Sequence, residues 1–525
     1  MRTSISDTRE RPEGELDGPK VIAMEVGEKA AQYNAAETPP PQESARSDAV
    51  LKALKAAAER AGKELPARDG RLDAASRALA EVAPANAPVP YRLIEFALQT
   101  HGIVEPSPHL IVIWGPPDDA RGLVERLEGR LPDILESAAF ARVGIGAAER
   151  EGGEMATVIA LQTSFVEIEP IARVIPEGET LRLDGRVLDP YRQPEVFVTR
   201  EDGAVISTPV RRIGGSGFRA DVRCEGRSGK QQVEIIASDH KGSTVLANFP
   251  IWCGEEPPRS VEVVIGGEDD VPTSPEAAEA RLVELINRDR ARHGLRPLKV
   301  DERVAEVARA HSEEMSETGV VAHVSPNTGS ASDRVQAADL RTPIVLENVA
   351  RAYSVIEAHE GLMNSPGHRA SILHDAVTHV GVGVVLGEHI AGRRELFVSQ
   401  VFIRRGVPTD PRVATEAIHR EVQLRRPLAA DPGLAAVAQS FAHMLADGVP
   451  RDEAAAAASQ KLEERAVSFA DVSSLVAVIP DVGDFEPDRA LADEGITHYG
   501  VGVAQGDHEV MGEGSFTVVL LVGRR

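Results

Sequence analysis

The chain has 525 residues and a mass of 56.1 kDa, and at about 150 residues per domain this length predicts roughly three to four domains. With 42% hydrophobic and 27% charged residues and no run of about 18 apolar residues, the composition is typical of a soluble protein and argues against a transmembrane segment. The 58 Lys and Arg are outnumbered by 82 Asp and Glu, and the net charge of −24 argues against nucleic acid as a partner.

The first 45 residues are predicted to form a disordered leader. They are polar and aperiodic and include the Pro39–Pro41 run. A secretory signal needs an apolar stretch of about 7–15 residues, whereas residues 1–25 carry charges throughout. We therefore expect no signal peptide in the sequence as written.

Three segments share a helical phrase, which indicates an internal repeat. Each phrase opens with an Asp that can cap the first helical turn and continues with apolar or small residues at helical spacing. The phrases are DGRLDAASRA from Asp69, DERVAEVARA from Asp301 and DPGLAAVAQS from Asp431.

A second shared phrase follows each helix and strengthens the repeat. It is a Gly-x-Gly step, with its first glycine at Gly144, Gly381 or Gly500, and an apolar run after it predicts a strand hairpin. The separations from the helix Asp to this glycine are 75, 80 and 69 residues. This near-constant spacing predicts one fold used three times.

Residues 169–264 have a different pattern, with short runs that alternate in period two between Gly and Pro turns, and they predict an all-β, immunoglobulin-like sandwich. The two cysteines of the chain, Cys224 and Cys253, lie in this segment. Their separation suits a disulfide, and two buried thiols remain the alternative. The acidic, turn-rich stretch 265–273 is predicted to be a linker.

The middle copy is predicted to begin with a helix from Ser274 to Gly294 and a second helix from Asp301 to about Thr318. His311 lies on the apolar face of the second helix and is interpreted as a hydrogen-bonded core residue. A third helix is predicted from Ser354, with Glu357 completing a capping box, and it ends in the sequence MNSPGHRASIL.

Four sequence motifs of the middle copy follow one another in an order that resembles that of the bacterial branch of the CAP superfamily. This superfamily is named for cysteine-rich secretory proteins, antigen 5 and pathogenesis-related 1. The resemblance covers about residues 275–404. It implies an α-β-α sandwich around a mostly antiparallel sheet, with a cleft that holds two histidines and one or two acidic residues. The motifs are His323, Glu347–Ala350, Asn364–Arg369 and Val380–Gly383.

Carried over by motif, His323 and His368 are the cleft histidines and Glu347 is the carboxylate beside them. Two neutral imidazoles can occupy two positions of a divalent cation such as Zn²⁺, so that His323 and His368 are the candidate metal ligands of a weak, pH-sensitive site. Glu347 would orient an imidazole or a bound water. As alternatives, the histidines hold loop backbone and Glu347 accepts backbone donors.

Other polar residues are interpreted as structural. Ser325 precedes a proline and is assigned to a turn rather than to a nucleophile. His379 and His498 precede Gly steps and are assigned to the shared strand. His359 and His374 are assigned to the surface.

The sequence also departs from the family. Leu362 stands where bacterial members usually have Trp. The second acidic residue of the eukaryotic members falls near Ser365, so that this carboxylate is absent unless Glu360 substitutes for it. A proteolytic function is weakened most, because it needs a complete acid, base and nucleophile set.

The outer copies lack the histidine set: Glu105 and Pro106 stand where the first histidine would be, and His443 lies inside a helix. We interpret them as degenerate CAP-like domains, with unrelated folds as the alternative. The predicted architecture is therefore an α/β multidomain chain. Its parts are a leader over 1–45, a degenerate CAP-like domain over 46–168, a β-sandwich over 169–264, a linker over 265–273, a CAP domain with the site over 274–405, and a second degenerate CAP-like domain over 406–525.

The function predicted from the resemblance is that of a non-enzymatic protein of the cell envelope or exterior, extracellular or periplasmic. Its middle domain would bind a divalent metal or a small apolar ligand, such as a lipid, in the cleft of His323, Glu347 and His368. The alternatives are a metal-assisted hydrolase using the same cleft and a purely structural protein that associates with an envelope partner.

Overall fold

The structure is a computed structural model, and it describes most of the chain in separate ranges. These are residues 5–7, 20–27, 29–35, 40–41, 43–85, 89–129, 131–150, 152–224, 228–265, 274–390, 393–406, 409–464 and 469–524. Within them, no helix is long and apolar enough to cross a membrane.

The first unit, residues 45–162, is a sheet with helices on both faces. One core lies between the sheet and α1, α4 and α5, and another between the sheet and α2 and α3. The sheet has the order β1-β5-β7-β6-β4. The elements up to its end are β1 (Ile5–Asp7), β2 (Lys20–Glu25), β3 (Gln32–Tyr33), α1 (Ala45–Ala61), β4 (Ala67–Arg68), α2 (Gly70–Val82), α3 (Tyr91–Thr100), β5 (His109–Gly115), α4 (Ala120–Glu128), α5 (Leu131–Ser137), β6 (Arg142–Glu149) and β7 (Met155–Gln162).

The sandwich, residues 166–253, has two sheets that share one core, of orders β10-β17-β16-β12-β13 and β14-β15-β11-β8. A disulfide joins Cys224 to Cys253, whose Cα atoms are 5.5 Å apart. The immunoglobulin-like classification stays a prediction. The strands are β8 (Val166–Ile168), β9 (Ile171–Ala172), β10 (Val174–Ile175), β11 (Thr180–Val187), β12 (Arg192–Thr199), β13 (Val205–Thr208), β14 (Val210–Ile213), β15 (Gly217–Arg223), β16 (Gly229–Asp239) and β17 (Gly242–Cys253), followed by β18 (Ser260–Ile265).

The third unit, residues 275–403, is a four-stranded sheet between helices, of order β19-β21-β22-β20. Helix α7 packs on one face, and α6 and α9 pack on the other. The predicted helix ends are confirmed, with Ser274 and Asp301 as N-caps of α6 and α7. The elements are α6 (Pro275–Arg292), β19 (Lys299–Val300), α7 (Glu302–Thr318), α8 (Ala331–Ala337), β20 (Val345–Ala352), α9 (Val355–Asn364), α10 (Pro366–Ile372), β21 (His379–Ile390) and β22 (Arg393–Ile403).

The fourth unit, residues 411–524, has a sheet of order β23-β25-β26-β24. Its core on one face draws on α11, and its core on the other face draws on α12 and α13. The elements are α11 (Pro411–Arg425), β23 (Ala429–Ala430), α12 (Pro432–Ala446), α13 (Arg451–Glu464), β24 (Asp471–Ile479), α14 (Asp488–Leu491), β25 (His498–His508) and β26 (Gly512–Arg524).

The repeated phrases occupy the same place in the first, third and fourth units. In each, a two-residue strand pairs parallel with the Gly-x-Gly strand, which continues into the predicted antiparallel hairpin. The helix between them carries the predicted Asp cap and passes so close to the glycines that a Cβ there would overlap helix backbone. That the outer units are degenerate CAP-like copies remains a prediction.

Two predicted boundaries are wrong. The segment Lys20–Glu25, assigned to a disordered leader, is a strand that pairs antiparallel with Ser260–Ile265, which was assigned to the sandwich. Both strands pack on the core of α2 and α3, because their apolar side chains, Met24 and Val263 among them, are shielded from water there. Residues 266–273 of the predicted linker lie outside the described residues.

Candidate functional site

The break between α9 and α10 builds one side of the site. The sequence predicts that the helix from Ser354 ends within MNSPGHRASIL, and the structure ends α9 at Asn364 and starts α10 at Pro366. Proline lacks an amide hydrogen and disfavours helical geometry in the residue before it, so that Ser365 is extended, with φ −94° and ψ 114°. The break brings the Ser365 hydroxyl within 2.7 Å of His368 Nδ1.

His323 lies in the loop after α7 and contacts Glu347 on β20. Its Nδ1 is 3.1 Å from Glu347 Oε2, and Arg334 donates to the other carboxylate oxygen. Burial would raise the pKa of Glu347, but the hydrogen bond with His323 and the charge of Arg334 hold it below its ordinary value. Glu347 is therefore an anion that accepts from side chains.

His368 is neutral, because burial, reinforced by His323, lowers its pKa to about 3. The two imidazole centroids are 6.1 Å apart with an interplanar angle of 29°. Both rings use Nδ1 for their side-chain hydrogen bonds. The Nε2 atoms are therefore the ones able to bind a ligand.

The predicted metal site can be tested against this geometry. A cation about 2.1 Å from each imidazole nitrogen lies roughly 3.2 Å from each ring centroid, so that centroids 6.1 Å apart would need an angle of about 145° at the ion, wider than the tetrahedral angle of zinc sites. Among the described residues, no group of three or more His, Cys, Asp or Glu is placed to hold a metal. A cation at His323 and His368 would thus have two protein ligands, as expected of a weak site.

The histidines border a cavity of about 420 Å³ between the first unit, the sandwich and the third unit. Its wall includes His323, Ser365 and His368, and other polar side chains such as Lys241 also line it. Much of the remaining wall is apolar and comes from all three units, including Phe140, Phe165, Leu246, Val321 and Leu362. Leu362, which stands where the resemblance implies Trp, thus forms part of the cavity wall.

Several structural interpretations of polar residues can be compared with their contacts. Ser325 donates to Glu314 and accepts the Asn327 and Thr328 amides, which agrees with a turn. His311 contacts the Ala322 carbonyl at 2.9 Å in the core, as expected. The surface assignment of His359 is wrong: it is 2% exposed, and its Nε2 is 2.7 Å from Asp289 Oδ2, because it faces α6 across the helix pair.

The sequence did not reveal Glu234 on β16 of the sandwich, which accepts hydrogen bonds from the Ser365 hydroxyl and from the Gly367 amide. The Ser365 hydroxyl thus has Glu234 as its acceptor, and a role of Glu360 near Ser365 stays a prediction. A carboxyl between the core residues Val233 and Ile235 faces away from the sandwich core, which is the signal for a surface residue.

Residues 283–402 match the model of the cysteine-rich secretory protein family, CAP. This part of the chain is a CAP domain. The chain is 38% identical over 115 residues to the uncharacterized protein YkwD of Bacillus subtilis (strain 168), covering 22% of this chain and 45% of that protein. It is 40% identical over 110 residues to the uncharacterized membrane protein YlbC of the same organism, covering 20% and 31%. The chain thus spans less than half the length of either relative.

Solved structures similar to the chain include two bacterial proteins. One is an extracellular protein containing an SCP domain from Bacillus anthracis str. Ames, with 20% identity, 46% of this chain and 88% of that chain covered, and a TM-score of 0.23. The other is a cysteine-rich secretory protein from Staphylococcus aureus subsp. aureus Mu50, with 13% identity, the same coverage and a TM-score of 0.21.

Proposed function

We propose that this CAP-domain protein works at the cell envelope or outside the cell and binds a small, largely apolar ligand in the cavity lined by His323 and His368. The observation that carries the proposal is the cavity itself. Its volume of about 420 Å³ lies within the range of about 300–1,000 Å³ common for small-molecule sites, and its wall combines apolar and polar side chains, as such sites do.

The histidines favour a ligand with a hydrogen-bond donor. Glu347 accepts from His323 Nδ1, so that the neutral imidazole carries its proton there and can accept at Nε2. A hydroxyl of the ligand can donate to this nitrogen while its apolar part lies along Phe165 and Leu246. A divalent cation at the two Nε2 atoms is the second candidate, and it is supported by the two Nδ1 hydrogen bonds, which leave the Nε2 atoms to bind it.

The arrangement argues against Ser365 as a hydrolase nucleophile, and the metal-assisted hydrolase at His323, Glu347 and His368 stays the alternative. Ser365 contacts His368, but it is 1% exposed and its hydroxyl is bonded to the carboxylate of Glu234. In a serine hydrolase the acid orients the histidine and leaves the serine hydrogen to it. Here the acid lies on the serine side, so that the serine is not activated as a nucleophile.

The Cys224–Cys253 disulfide supports the proposed location. Disulfides persist in oxidising compartments, such as the bacterial periplasm and the exterior, and are rare in the cytosol. Neither of these sulfur atoms lies at the cavity, so that the bond serves the sandwich core rather than the site.

The experiment is binding of a fluorescent fatty alcohol, a dansyl-labelled undecanol, to the full chain after delipidation. Ala350 on β20 lines the cavity, and Ala350→Phe puts a ring into its volume. We expect saturable binding by the wild type and a loss of affinity of at least about tenfold in the variant, since the apolar contact area is removed.

The matched control is Ala429→Phe, which adds the same ring at an exposed strand position of the fourth unit and should bind as the wild type does. Wild-type affinity in Ala350→Phe, or no saturable binding by the wild type, would contradict the apolar-ligand proposal. Zinc titration of His323→Ala and His368→Ala tests the second candidate, which fails if both variants bind the ion as the wild type does.

A further inference from the structure

Glu234 comes from the sandwich, yet it contacts the segment of the CAP domain that bears His368. Its Oε1 accepts the Gly367 amide hydrogen at 2.8 Å, and its Oε2 accepts the Ser365 hydroxyl. The side chain is fully buried although it points away from the sandwich core. The outer face of β16 and β17 is therefore a contact surface for the α9–α10 break.

Neighbouring contacts hold this surface in place. Asn248, the cross-strand partner of Glu234, donates to the Asn364 carbonyl at 3.2 Å, and its own amide oxygen accepts from Gln232 at 2.6 Å. Both histidine segments meet the same hairpin, because the Lys241 carbonyl at its tip accepts the Val324 amide at 3.1 Å. The hairpin thus contacts the loop of His323 and the helix of His368.

The Glu234 carboxylate determines which atoms donate and which accept in the hydrogen bonds of Ser365. An ionised carboxyl only accepts, so that the Ser365 hydroxyl must donate its single hydrogen to Glu234. The serine oxygen can then only accept from His368 Nδ1, 2.7 Å away. His368 is therefore protonated at Nδ1, and its Nε2 carries the lone pair.

We propose that Glu234 is a positioning residue of the CAP-domain site: acting through Ser365, it fixes His368 as the Nδ1–H tautomer and presents the Nε2 lone pair to the cavity for a hydrogen-bond donor or a divalent cation. The carboxylate that the CAP domain lacks at Ser365 is supplied by the sandwich. The site is thus shared between two units, and the residues that join them, Glu234 and Ser365, are 131 positions apart.

The tautomer of His368 can be tested with a variant of Glu234, because the backbone amide of Gly367 can only donate. In Glu234→Gln the amide oxygen must face the Gly367 amide hydrogen, so that the side-chain NH₂ faces Ser365. Because this NH₂ donates, the serine oxygen accepts from it and the serine hydrogen turns to His368 Nδ1. The isosteric change therefore reverses the chain of hydrogen bonds and should move the proton of His368 from Nδ1 to Nε2.

The measurement is the tautomer of His368 in the full chain labelled with ¹⁵N-histidine, read from two-bond ¹H–¹⁵N correlations at pH 8. The high pH matters because burial raises the pKa of Glu234 to about 7. His368→Gln identifies the signals by their loss. We expect Nδ1–H in the wild type and Nε2–H in Glu234→Gln, with the other histidines unchanged.

The matched control is Glu195→Gln, the same substitution at an exposed position of β12 in the same sheet, which should leave His368 as Nδ1–H. Ser365→Ala is the second variant, and it should abolish the preference for one tautomer. The proposal is overturned if the wild type is Nε2–H, if Glu234→Gln keeps Nδ1–H, or if Ser365→Ala retains the wild-type tautomer. No ligand is needed, so that this result is independent of the fatty-alcohol experiment.

Discussion

At the scale of single residues, Glu95 on α3 is a buried carboxyl whose charge state affects stability. It accepts hydrogen bonds from Ser107 and Gln99, each at 3.1 Å, and burial raises its pKa to about 7 against an ordinary value of 4.5. Between these two pH values the folded protein binds a proton that the unfolded chain releases. The free energy of unfolding therefore falls as the pH rises through this window.

We predict that Glu95→Gln removes this part of the pH dependence. The variant should lose less stability than the wild type between pH 5 and pH 8, by at most about 3 kcal/mol, because its amide does not titrate. Calorimetric melting across this range measures the effect. Glu81→Gln, at an exposed carboxyl on α2, is the control and should keep the wild-type slope. A wild-type slope in Glu95→Gln would show that this carboxyl titrates normally.

The site residues differ in how far the sequence reveals them. His323, Glu347 and His368 can be named from ordered motifs within the CAP domain, although only the structure shows their distances. Glu234 cannot, because period-two alternation puts it on the face opposite the sandwich core, where a solvent-exposed residue is expected. Glu234 is buried by a segment 131 positions later in the chain, and the periodicity of the sequence cannot predict that contact.

At the scale of secondary-structure elements, the crossing of helix and strand depends on Gly-x-Gly. A Cβ at Gly383 would overlap the backbone of Ala308 and Arg309 on α7. We predict that Gly383→Ala destabilises the CAP domain by about 2–4 kcal/mol, since neither the helix nor the central strand β21 can move aside without breaking its packing. Calorimetric melting of the full chain measures the loss.

The control for this substitution is Gly361→Ala in α9, where an added Cβ meets nothing within 4 Å. There the change should be neutral or stabilise by up to about 1 kcal/mol, as alanine favours the helix. Equal melting temperatures of Gly383→Ala and the wild type would contradict the close-packing argument.

The same elements show what sequence can and cannot predict. Helices α6 and α7 were predicted with their caps, because Ser274 and Asp301 act on neighbouring amides. The pairing of β2 with β18 was missed, since it joins strands about 240 residues apart and neither is long or strongly alternating. Pro366 indicates the break between α9 and α10 in the sequence, but the contact of Ser365 with the sandwich is seen only in the structure.

At the scale of the whole molecule, the disulfide closes the sandwich that supplies Glu234. We predict that Cys224→Ala with Cys253→Ala lowers the stability of this unit by about 3–4 kcal/mol, the value expected for a loop of 29 residues in the unfolded chain. Melting with and without a reductant measures it. The reductant should destabilise the wild type by a similar amount and leave the double variant unchanged, and an insensitive wild type would contradict the prediction.

The cavity also has a consequence for the order of events during synthesis. Its walls come from Phe140 in the first unit, Leu246 in the sandwich and His368 in the CAP domain. Domains fold largely as they emerge from the ribosome, N-terminal ones first, so that the first two walls face water until the third arrives. Nascent chains shorter than about 370 residues therefore lack the wall that bears His368, and they cannot bind the ligand as the complete chain does.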